Sequence, residues 1–269
     1  MANAEGFLKE NTGSKFYNRP SLWGENYWCD VQLERAKKTV MLLPAEIRSV
    51  LDVGCGAGIV SKELNRRFFR VISVDFAFNP LRQVRNAQIL CVQGDACSLP
   101  FRNNAFDAVI ATELVEHLSQ SERHQVLREM SRISQRFILI TVPYREVLAS
   151  GLVKCVDCGC IFNASCHKKS FNELDMTSLF HSDFSLKQIE LFGPRVKRIP
   201  RAFLMLAHLF GGYRRPETDS VECPQCKNVK NYLSKRNWIT LFLLGVPSKV
   251  LPLRKYPNWM GALYEKRSA

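Results

Sequence analysis

The sequence predicts an α/β fold in which helices cover both faces of a mainly parallel sheet. Within residues 48–142, short apolar runs rich in β-branched residues recur, and helix-forming segments separate them. A cluster of glycines also follows the first run directly. Parallel strands are buried on both faces and therefore appear as continuous apolar runs, without polar alternation. The chain has 269 residues, enough for one large α/β domain with an elaboration or for two small domains.

Five strands are predicted in this region, with helices in the connections between them. The strands are expected at 48–53, 71–75, 87–93, 105–111 and 136–142. One helix is expected at 58–67 and another at 121–133, where Ser121 can cap the first turn and apolar residues recur at helical spacing.

Four segments are predicted along the chain. They are an N-terminal extension (1–47) with a helix near 30–38, an α/β core (48–150), a cysteine-rich insert (151–184) and a closing segment (185–269). The closing segment is expected to return to the core with strands at 186–192 and 261–266, the second of them a last edge strand. A basic and apolar insertion at 194–256 separates these two strands.

The composition excludes a disordered chain, since 46% of the residues are hydrophobic and 10% are aromatic. Residues 1–40 lack the apolar segment of a signal peptide, and the longest apolar runs are about half the roughly 20 residues of a membrane span. We therefore expect a cytoplasmic protein, soluble or peripheral at the membrane surface. The ten cysteines fit a reducing compartment, where clustered thiols bind metal more often than they form disulfides.

The stretch V-L-D-V-G-C-G-A-G at 50–58 places three glycines in five positions directly after the first predicted strand. Glycine costs conformational entropy, so such a cluster is expected where the backbone turns sharply or approaches something closely. In an open parallel sheet, ligands bind beyond the carboxyl ends of the strands, where this turn lies. A Gly-rich turn alone is a weak signal, because nicotinamide-dinucleotide-binding folds and many structural turns contain one.

Acidic residues near the ends of other strands strengthen this signal. Asp75 ends the second strand, where a carboxylate can accept both hydroxyls of a ribose, and Asp95 follows the third strand at a similar height. Asp107 begins the fourth strand, and Glu113 lies just past its end. With these acids, a tight turn that binds no ligand becomes the weaker interpretation.

This set of motifs resembles that of the class I S-adenosylmethionine-dependent methyltransferases, particularly the broad small-molecule, type 11-like branch. The motifs are D-V-G-C-G-A-G at 52–58, V-D at 74–75, G-D-A at 94–96, L-P-F at 99–101 and F-D-A-V at 106–109. Each is common alone, but five in order at the expected distances are not. The resemblance implies a Rossmann-like sheet of seven strands, the last antiparallel, and S-adenosylmethionine as the cofactor. Nicotinamide dinucleotide fits less well, since the third glycine comes one residue early for G-x-G-x-x-G.

The resemblance also implies which residues bind the cofactor. The glycine turn at 54–58 would wrap the methionine part, Asp75 would hold the ribose, and Asp95 with Ala96 would contact the adenine. The full predicted set is Asp52, Gly54, Cys55, Gly56, Gly58, Asp75, Phe76, Asp95, Ala96 and Glu113. Within the turn, Cys55 is interpreted as a small filler in preference to a nucleophile.

Methyl transfer from a sulfonium is an in-line displacement, so the enzyme must mainly align the acceptor and, for a hydroxyl, remove its proton. His117, just beyond the fourth strand, is a candidate base. The alternative is that it only packs at the start of a helix. Glu113 and Glu116 are candidates to orient the acceptor or the cofactor, and Tyr144, just past the fifth strand, is expected at the same rim.

Two C-x-x-C pairs predict a zinc site, because each such loop presents two thiolates to one tetrahedral metal. The predicted ligands are Cys155, Cys158, Cys223 and Cys226; Cys166 or His167 could replace one of them, and Cys160 is spare. Four thiolates leave no open position for a substrate, so the zinc is expected to be structural. Since both segments leave the carboxyl edge of the sheet, it would pin a lid over the acceptor pocket. Buried thiols or a redox pair are the weaker alternatives.

The positive charge of the chain, +13 overall, is concentrated in one segment: residues 194–256 contain 13 basic and three acidic residues beside two apolar runs. A cap that packs these runs on the sheet is one interpretation, and an anionic membrane surface is another. RNA binding is a third.

Together the features predict O-methylation of a small-molecule, sugar or lipid-linked acceptor. The alternatives are an RNA methyltransferase and a non-catalytic zinc-ribbon protein that binds nucleic acid or another partner.

Overall fold

The computed structural model describes residues 17–68, 70–180, 183–214, 221–229, 231–234, 237–250 and 253–267. These residues divide into two compact units. The first contains the described residues up to Pro143, together with Phe171–Gly193 and those from Trp259 onward. The second contains those of Tyr144–Ser170 and Pro194–Asn258.

Nine strands occur in the described chain. They are β1 (Ser49–Val53), β2 (Arg70–Asp75), β3 (Leu90–Gln93), β4 (Phe106–Thr112), β5 (Ser134–Pro143), β6 (Leu152–Lys154), β7 (Ile161–Asn163), β8 (Phe184–Lys197) and β9 (Lys255–Lys266). Seven of them form one sheet in the order β3-β2-β1-β4-β5-β9-β8. The pairs among the first five are parallel, whereas β9 runs antiparallel to β5. The predicted Rossmann-like sheet of seven strands, the last antiparallel, is therefore confirmed.

The prediction of an edge position for the last strand is wrong. The sheet places β9 between β5 and β8, and β8 forms the edge. Burial explains the position, since every residue from Trp259 to Tyr264 is buried, whereas most of β8 is exposed or half-buried. A strand at the end of the chain is thus an interior strand of the sheet.

Seven α-helices accompany these strands in the described residues. They are α1 (Asp30–Met41), α2 (Ile59–Arg67), α3 (Phe78–Asn86), α4 (Gln120–Ile133), α5 (Glu173–Thr177), α6 (Arg201–Leu209) and α7 (Trp238–Val250). Short 3₁₀ helices occur at Pro20–Trp23, Glu25–Trp28, Val115–His117 and Leu148–Gly151.

The strands predicted at 186–192 and 261–266 are longer in the structure, Phe184–Lys197 and Lys255–Lys266. Two other predicted boundaries differ for a local reason. Ser119, and not Ser121, caps α4: its hydroxyl accepts from the Glu122 N–H, and the Glu122 carboxylate accepts from the Ser119 N–H. This reciprocal pair is a capping box. The third strand begins at Leu90 because Ala87, predicted to start it, is the C-cap of α3.

The core of the first unit lies in the central strands. Leu51 of β1 and the four residues Ala108–Ala111 of β4 are completely buried. Helices α2 and α4 contribute buried residues such as Leu64 and Met130. The β1–α2 and β2–α3 connections therefore start from a well-packed sheet, at the carboxyl ends of its strands. The predicted cofactor residues lie at this edge of the sheet.

The second unit has its own small apolar cluster. Strands β6 and β7 pair antiparallel, and buried Val153 packs with Ala164 and Val221. Phe162 and Tyr232 cover this cluster. Helices α6 and α7 also pack against each other in this unit. No helix among the described residues has both the length and the apolar character that crossing a bilayer requires.

Candidate active site and metal centre

The turn after β1 requires glycine for two physical reasons. Gly54 and Gly56 have φ values of +72° and +54°, in the left-handed region that side chains rarely adopt. A Cβ at Gly54 would lie 2.9 Å from the Leu114 side chain, and one at Gly56 would lie 2.5 Å from the Trp23 ring. The turn is thus closely approached by the residues that follow β4 and by the N-terminal segment.

Asp75, at the end of β2, holds this turn from the neighbouring strand. Its carboxylate accepts the backbone N–H of Gly56 at 2.8 Å and that of Ala77 at 2.9 Å. Burial raises the pKa of Asp75, and these hydrogen bonds oppose the shift. Each carboxylate oxygen has two lone pairs, so the group can still accept further hydrogen bonds.

Asp52, at the carboxyl end of β1, is completely buried beside the turn. Its Oδ2 accepts from the Ser61 hydroxyl at 2.7 Å, and Ser61 in turn accepts from Ser73 at 2.9 Å. The second oxygen, Oδ1, has no hydrogen-bond partner among the described residues. Burial raises the pKa of Asp52 to about 7, and the nearby charge of Asp75 adds to this shift.

Tyr17 connects two predicted site residues at the rim of the sheet. Its ring meets Phe76 edge-on with centroids 5.5 Å apart, and it meets the His117 ring edge-on at 5.9 Å. The Tyr17 hydroxyl lies 3.0 Å from Nδ1 of His117, while Nε2 of His117 lies 4.0 Å from a carboxylate oxygen of the buried Glu116. Phe76 is 39% exposed, so much of its side chain remains open to a ligand.

Glu113 lies directly after β4 in a left-handed conformation, with φ at +53°. Its backbone N–H donates to the Thr141 carbonyl at 3.0 Å, and its Oε2 accepts from the Trp259 indole N–H at 3.1 Å. The structure therefore brings Glu113 to the same sheet edge as the glycine turn, next to Leu114.

The loop after β3, which carries Asp95 and Ala96, begins beside Asp75. The Gly94 N–H donates to the Asp75 carbonyl at 3.0 Å. Asp95 is exposed, and its carboxylate accepts from the Cys97 N–H at 2.8 Å, which fixes a local turn.

Asp107 is at the opposite end of the sheet from these residues, near the start of β4. One of its oxygens accepts from the backbone N–H groups of Arg48 and Ser49 and from the Ser49 hydroxyl, at 2.8–3.0 Å. Partial burial opposes ionisation, but these hydrogen bonds outweigh it and lower the pKa of Asp107. This acid joins β1 to β4 and lies outside the cofactor edge.

Comparisons with known proteins match one segment of the chain to a family. Residues 51–136 match the profile of the family described as Methyltransferase domain. Those residues form a class I S-adenosylmethionine-dependent methyltransferase domain. The malonyl-[acyl-carrier protein] O-methyltransferase of Legionella pneumophila is 36% identical over 93 residues, which cover 32% of this chain and 32% of that protein. The demethylmenaquinone methyltransferase of Thermobifida fusca is 32% identical over 123 residues, 43% of this chain and 48% of that protein.

Among solved structures, a SAM-dependent methyltransferase from Archaeoglobus fulgidus is similar with a TM-score of 0.54, covering 91% of this chain and 99% of that one. Its sequence identity of 18% means that this likeness shows the fold alone. The chain spans about a third to a half of the length of the two curated relatives.

The N-terminal extension, which precedes the matched segment, supplies site residues that sequence reasoning missed. Besides Tyr17 and Trp23, the structure buries Arg35 of α1, whose guanidinium lies 5.7 Å above the Trp259 ring. Its positive charge acts on Asp52 and opposes the rise in the pKa of that carboxyl. The aromatic residues of this extension were a visible signal, but no local pattern indicates which of them reach the glycine turn.

Four cysteines of the second unit form one cluster outside the segment that matches the methyltransferase domain. The sulfur atoms of Cys155, Cys158, Cys223 and Cys226 all lie within 4.8 Å of one another. Two of the sulfur pairs, Cys155–Cys226 and Cys158–Cys223, are 3.5 Å apart. These are the four residues that the C-x-x-C spacing singles out; Cys166 and His167 do not belong to this cluster.

The two C-x-x-C loops have matching backbone geometry. In the first, the Gly159 N–H donates to the Cys155 carbonyl at 3.1 Å; in the second, the Lys227 N–H donates to the Cys223 carbonyl at 3.0 Å. Gly159 and Lys227 both have left-handed conformations, with φ at +74° and +65°. The loops therefore present their thiols in the same way to a common point.

Polar groups also surround the Cys155 thiol. Burial opposes its ionisation, but the Cys158 N–H and the Asn228 amide outweigh this effect and lower the pKa of Cys155 to about 6. Cys55, in contrast, is buried in the methyltransferase domain, and burial raises the pKa of its thiol well above the ordinary range. That environment favours the interpretation of Cys55 as a filler of the turn.

Tyr144 and His167 both belong to the second unit. Tyr144 is buried, its carbonyl accepts from the Arg198 guanidinium at 2.7 Å, and its ring meets Tyr256 edge-on. Nδ1 of His167 lies 2.5 Å from a carboxylate oxygen of Glu146. This pairing gives His167 a position other than the metal centre, and the sequence spacing gave no sign of it.

Proposed function

We propose that this chain transfers a methyl group from S-adenosylmethionine to an oxygen of a small-molecule, sugar or lipid-linked acceptor. The observation that carries the proposal is the convergence of the glycine turn, Asp75, Phe76 and His117 at one edge of the methyltransferase sheet. The name of one curated relative, an O-methyltransferase for a malonyl-acyl carrier protein, supports transfer to an oxygen. The name of the other, a demethylmenaquinone methyltransferase, supports only a lipid-soluble acceptor.

The residues present at this edge fit the cofactor. When bound, S-adenosylmethionine supplies a methyl group that is already activated by its sulfonium. The backbone of 54–58 would contact its methionine part, and Asp75 would accept from the ribose hydroxyls with its remaining lone pairs. The buried Oδ1 of Asp52 lacks a hydrogen-bond partner among the described residues, which suits a turn that receives a cationic ligand.

We assign the proton removal to His117. If Nδ1–H donates to the Tyr17 oxygen, 3.0 Å away, the Nε2 atom is left free of its proton and can accept one from the acceptor hydroxyl. The imidazolium formed in this way would be stabilised by Glu116, whose carboxylate oxygen lies 4.0 Å from Nε2. Glu113 would act as a positioning residue through Trp259.

We also propose that the four-cysteine cluster holds one structural zinc ion. Four thiol ligands from two loops of the same conformation match a closed tetrahedral site, and the Asn228 amide lies 3.6 Å from the Cys155 sulfur as an outer partner. The zinc would hold together the two segments of the second unit that carry the loops.

Calorimetry tests the cofactor part of the proposal with S-adenosylmethionine and its demethylated product. Binding of both in the micromolar range is expected, and no binding of either at millimolar concentration would exclude methyl transfer and favour a non-catalytic zinc-ribbon protein.

Transfer of a labelled methyl group to a panel of acceptors then tests the substrate class. The panel contains hydroxylated quinols, sugars, lipid-linked sugars, acyl-carrier-protein esters and RNA. Label in a hydroxyl-bearing small molecule or lipid supports the proposal. Label in RNA alone would replace it with the nucleic-acid alternative.

A further inference from the structure

Helix α6 of the second unit buries a narrow face and exposes a wide apolar one. Its buried residues are Leu204, Ala207 and His208. The exposed apolar side chains on and just after it are Met205 (46%), Leu206 (46%), Leu209 (79%) and Phe210 (44%). A helix at the surface of a globular domain ordinarily exposes a polar face, whereas α6 exposes apolar side chains in addition to the apolar residues that it buries.

Helix α7 has the same character and packs against α6. Thr240 is only 1% exposed, and a Cβ at Gly212, just after α6, would lie 3.2 Å from Thr240 Cβ, so the two elements approach closely there. The exposed apolar side chains of α7 are Trp238 (77%), Leu241 (58%) and Phe242 (55%). Exposed apolar groups on two adjoining helices are typical of a surface that binds a membrane or another protein.

Basic residues flank this apolar surface. Arg201 is the first residue of α6 and Arg214 follows its end, and both side chains are exposed. The strands on either side of the helices add further exposed basic residues, which are Arg195, Lys197 and Lys255. Over residues 194–256 the chain has 13 basic and three acidic residues. Such an excess is electrostatically complementary to an anionic surface.

We propose that α6 and α7 bind the surface of an anionic lipid bilayer, with their apolar side chains in the headgroup–acyl boundary. Neither helix is long enough to span the hydrocarbon core, since α6 has nine residues and α7 has 13. Interfacial helices bind a bilayer by inserting apolar side chains while their basic residues contact the anionic headgroups, and Trp238 suits the headgroup region. An acceptor dissolved in or anchored to the bilayer would be concentrated by this binding, but the binding itself does not depend on methyl transfer.

Vesicle co-sedimentation of the full chain tests the proposal. Vesicles of zwitterionic lipid alone are compared with vesicles containing about a third phosphatidylglycerol. The expected result is binding to the anionic vesicles that weakens in high salt. The double variant Leu209→Ser/Leu241→Ser should bind at least about tenfold less, because it removes two large apolar groups from the face. Leu174→Ser is the matched control, since Leu174 is 78% exposed but lies in α5 of the first unit. Its binding should equal that of the wild type.

Four outcomes would overturn the proposal. One is the absence of binding to anionic vesicles by protein whose folded state has been verified by thermal unfolding and zinc content. Another is retention on single-stranded RNA without vesicle binding. The third is a dimer in light scattering that the double variant dissolves, again without vesicle binding, which would assign the face to a second copy of the chain. An equal loss of vesicle binding in Leu174→Ser would also contradict it.

Discussion

The carboxylate of Asp75 accepts the backbone N–H of Gly56 at 2.8 Å, so a side chain at the end of β2 fixes the glycine turn that follows β1. The family resemblance assigns the Asp75 carboxylate only to the ribose hydroxyls of the cofactor. Because the same group also holds the backbone of the glycine turn, we expect both cofactor binding and stability to depend on this residue.

Asp75→Asn should therefore weaken both properties. An amide has one acceptor atom in place of two, so either the Gly56 or the Ala77 N–H would face an NH₂ group. We expect the free energy of cofactor binding to become less favourable by about 1–3 kcal/mol, and the free energy of unfolding to fall by a similar amount. Calorimetry and urea denaturation measure the two effects.

Asp107→Asn is the matched control for this prediction. Asp107 also accepts backbone N–H groups, but it does so at the amino end of the sheet. It should lose stability and keep the cofactor affinity of the wild type. Equal affinities in both variants would remove Asp75 from the cofactor site.

Local patterns in the sequence were enough to predict the glycine turn and the acids at the ends of the strands. A strand followed by a glycine cluster determines its own connection, and the carboxyl ends of parallel strands meet at one edge. The capping box of α4 was also a local signal, but the prediction of Ser121 as the cap missed it. Ser119 has a glutamate three residues later, as a capping box requires, and Ser121 has not.

Contacts between distant parts of the chain could not be predicted in this way. Tyr17 and His117 are separated by 100 positions, and Glu113 and Trp259 by 146. Each pair depends on how the N-terminal segment and β9 pack on the sheet. The interior position of β9 has the same origin, because strand order follows from burial and not from chain order.

His117→Gln should lower turnover by about 10²–10⁴-fold, which is the usual contribution of a general base, while the affinity for S-adenosylmethionine stays near that of the wild type. Tyr17→Phe should cause a smaller fall in turnover, since it removes only the oxygen that orients Nδ1. Single-turnover rates and calorimetry separate these effects. Wild-type turnover in His117→Gln would show that the histidine only packs at the rim.

The buried Asp52 predicts a pH dependence of stability. Its pKa is raised to about 7 in the folded protein from an ordinary value of 3.8, so its contribution is fully favourable below about pH 4 and is lost as the pH rises through 7. The free energy of unfolding should fall between pH 5 and pH 8, by an amount on the order of a few kcal/mol.

Asp52→Asn should reduce this fall, as measured by urea denaturation at the two pH values. Asp107→Asn is again the comparison. The pKa of Asp107 is lowered, so its contribution is present above its ordinary pKa and is lost only as the pH falls through the lowered value. Its removal should reduce stability equally at pH 5 and pH 8. An unchanged pH dependence in Asp52→Asn would contradict the assignment.

The proposed zinc site predicts one metal ion per chain and a local effect of its loss. Cys158→Ser or Cys223→Ser should lose the metal, because a structural zinc depends on all four thiolates. Hydrogen exchange should then increase in residues 152–163 and 221–233, where the two loops are joined by bonds such as that from the Val156 N–H to the Asn231 carbonyl.

The methyltransferase domain should keep its protection in these variants, because its core of residues such as Val50 and Ile110 is packed without any of the four cysteines. S-adenosylmethionine binding should survive for the same reason. Cys160→Ser is the matched control, since Cys160 lies in the first loop but not in the four-sulfur cluster, and it should retain the metal. Metal-free wild-type protein purified without chelator, or equal loss of protection in residues 48–142, would refute the separate role of the zinc site.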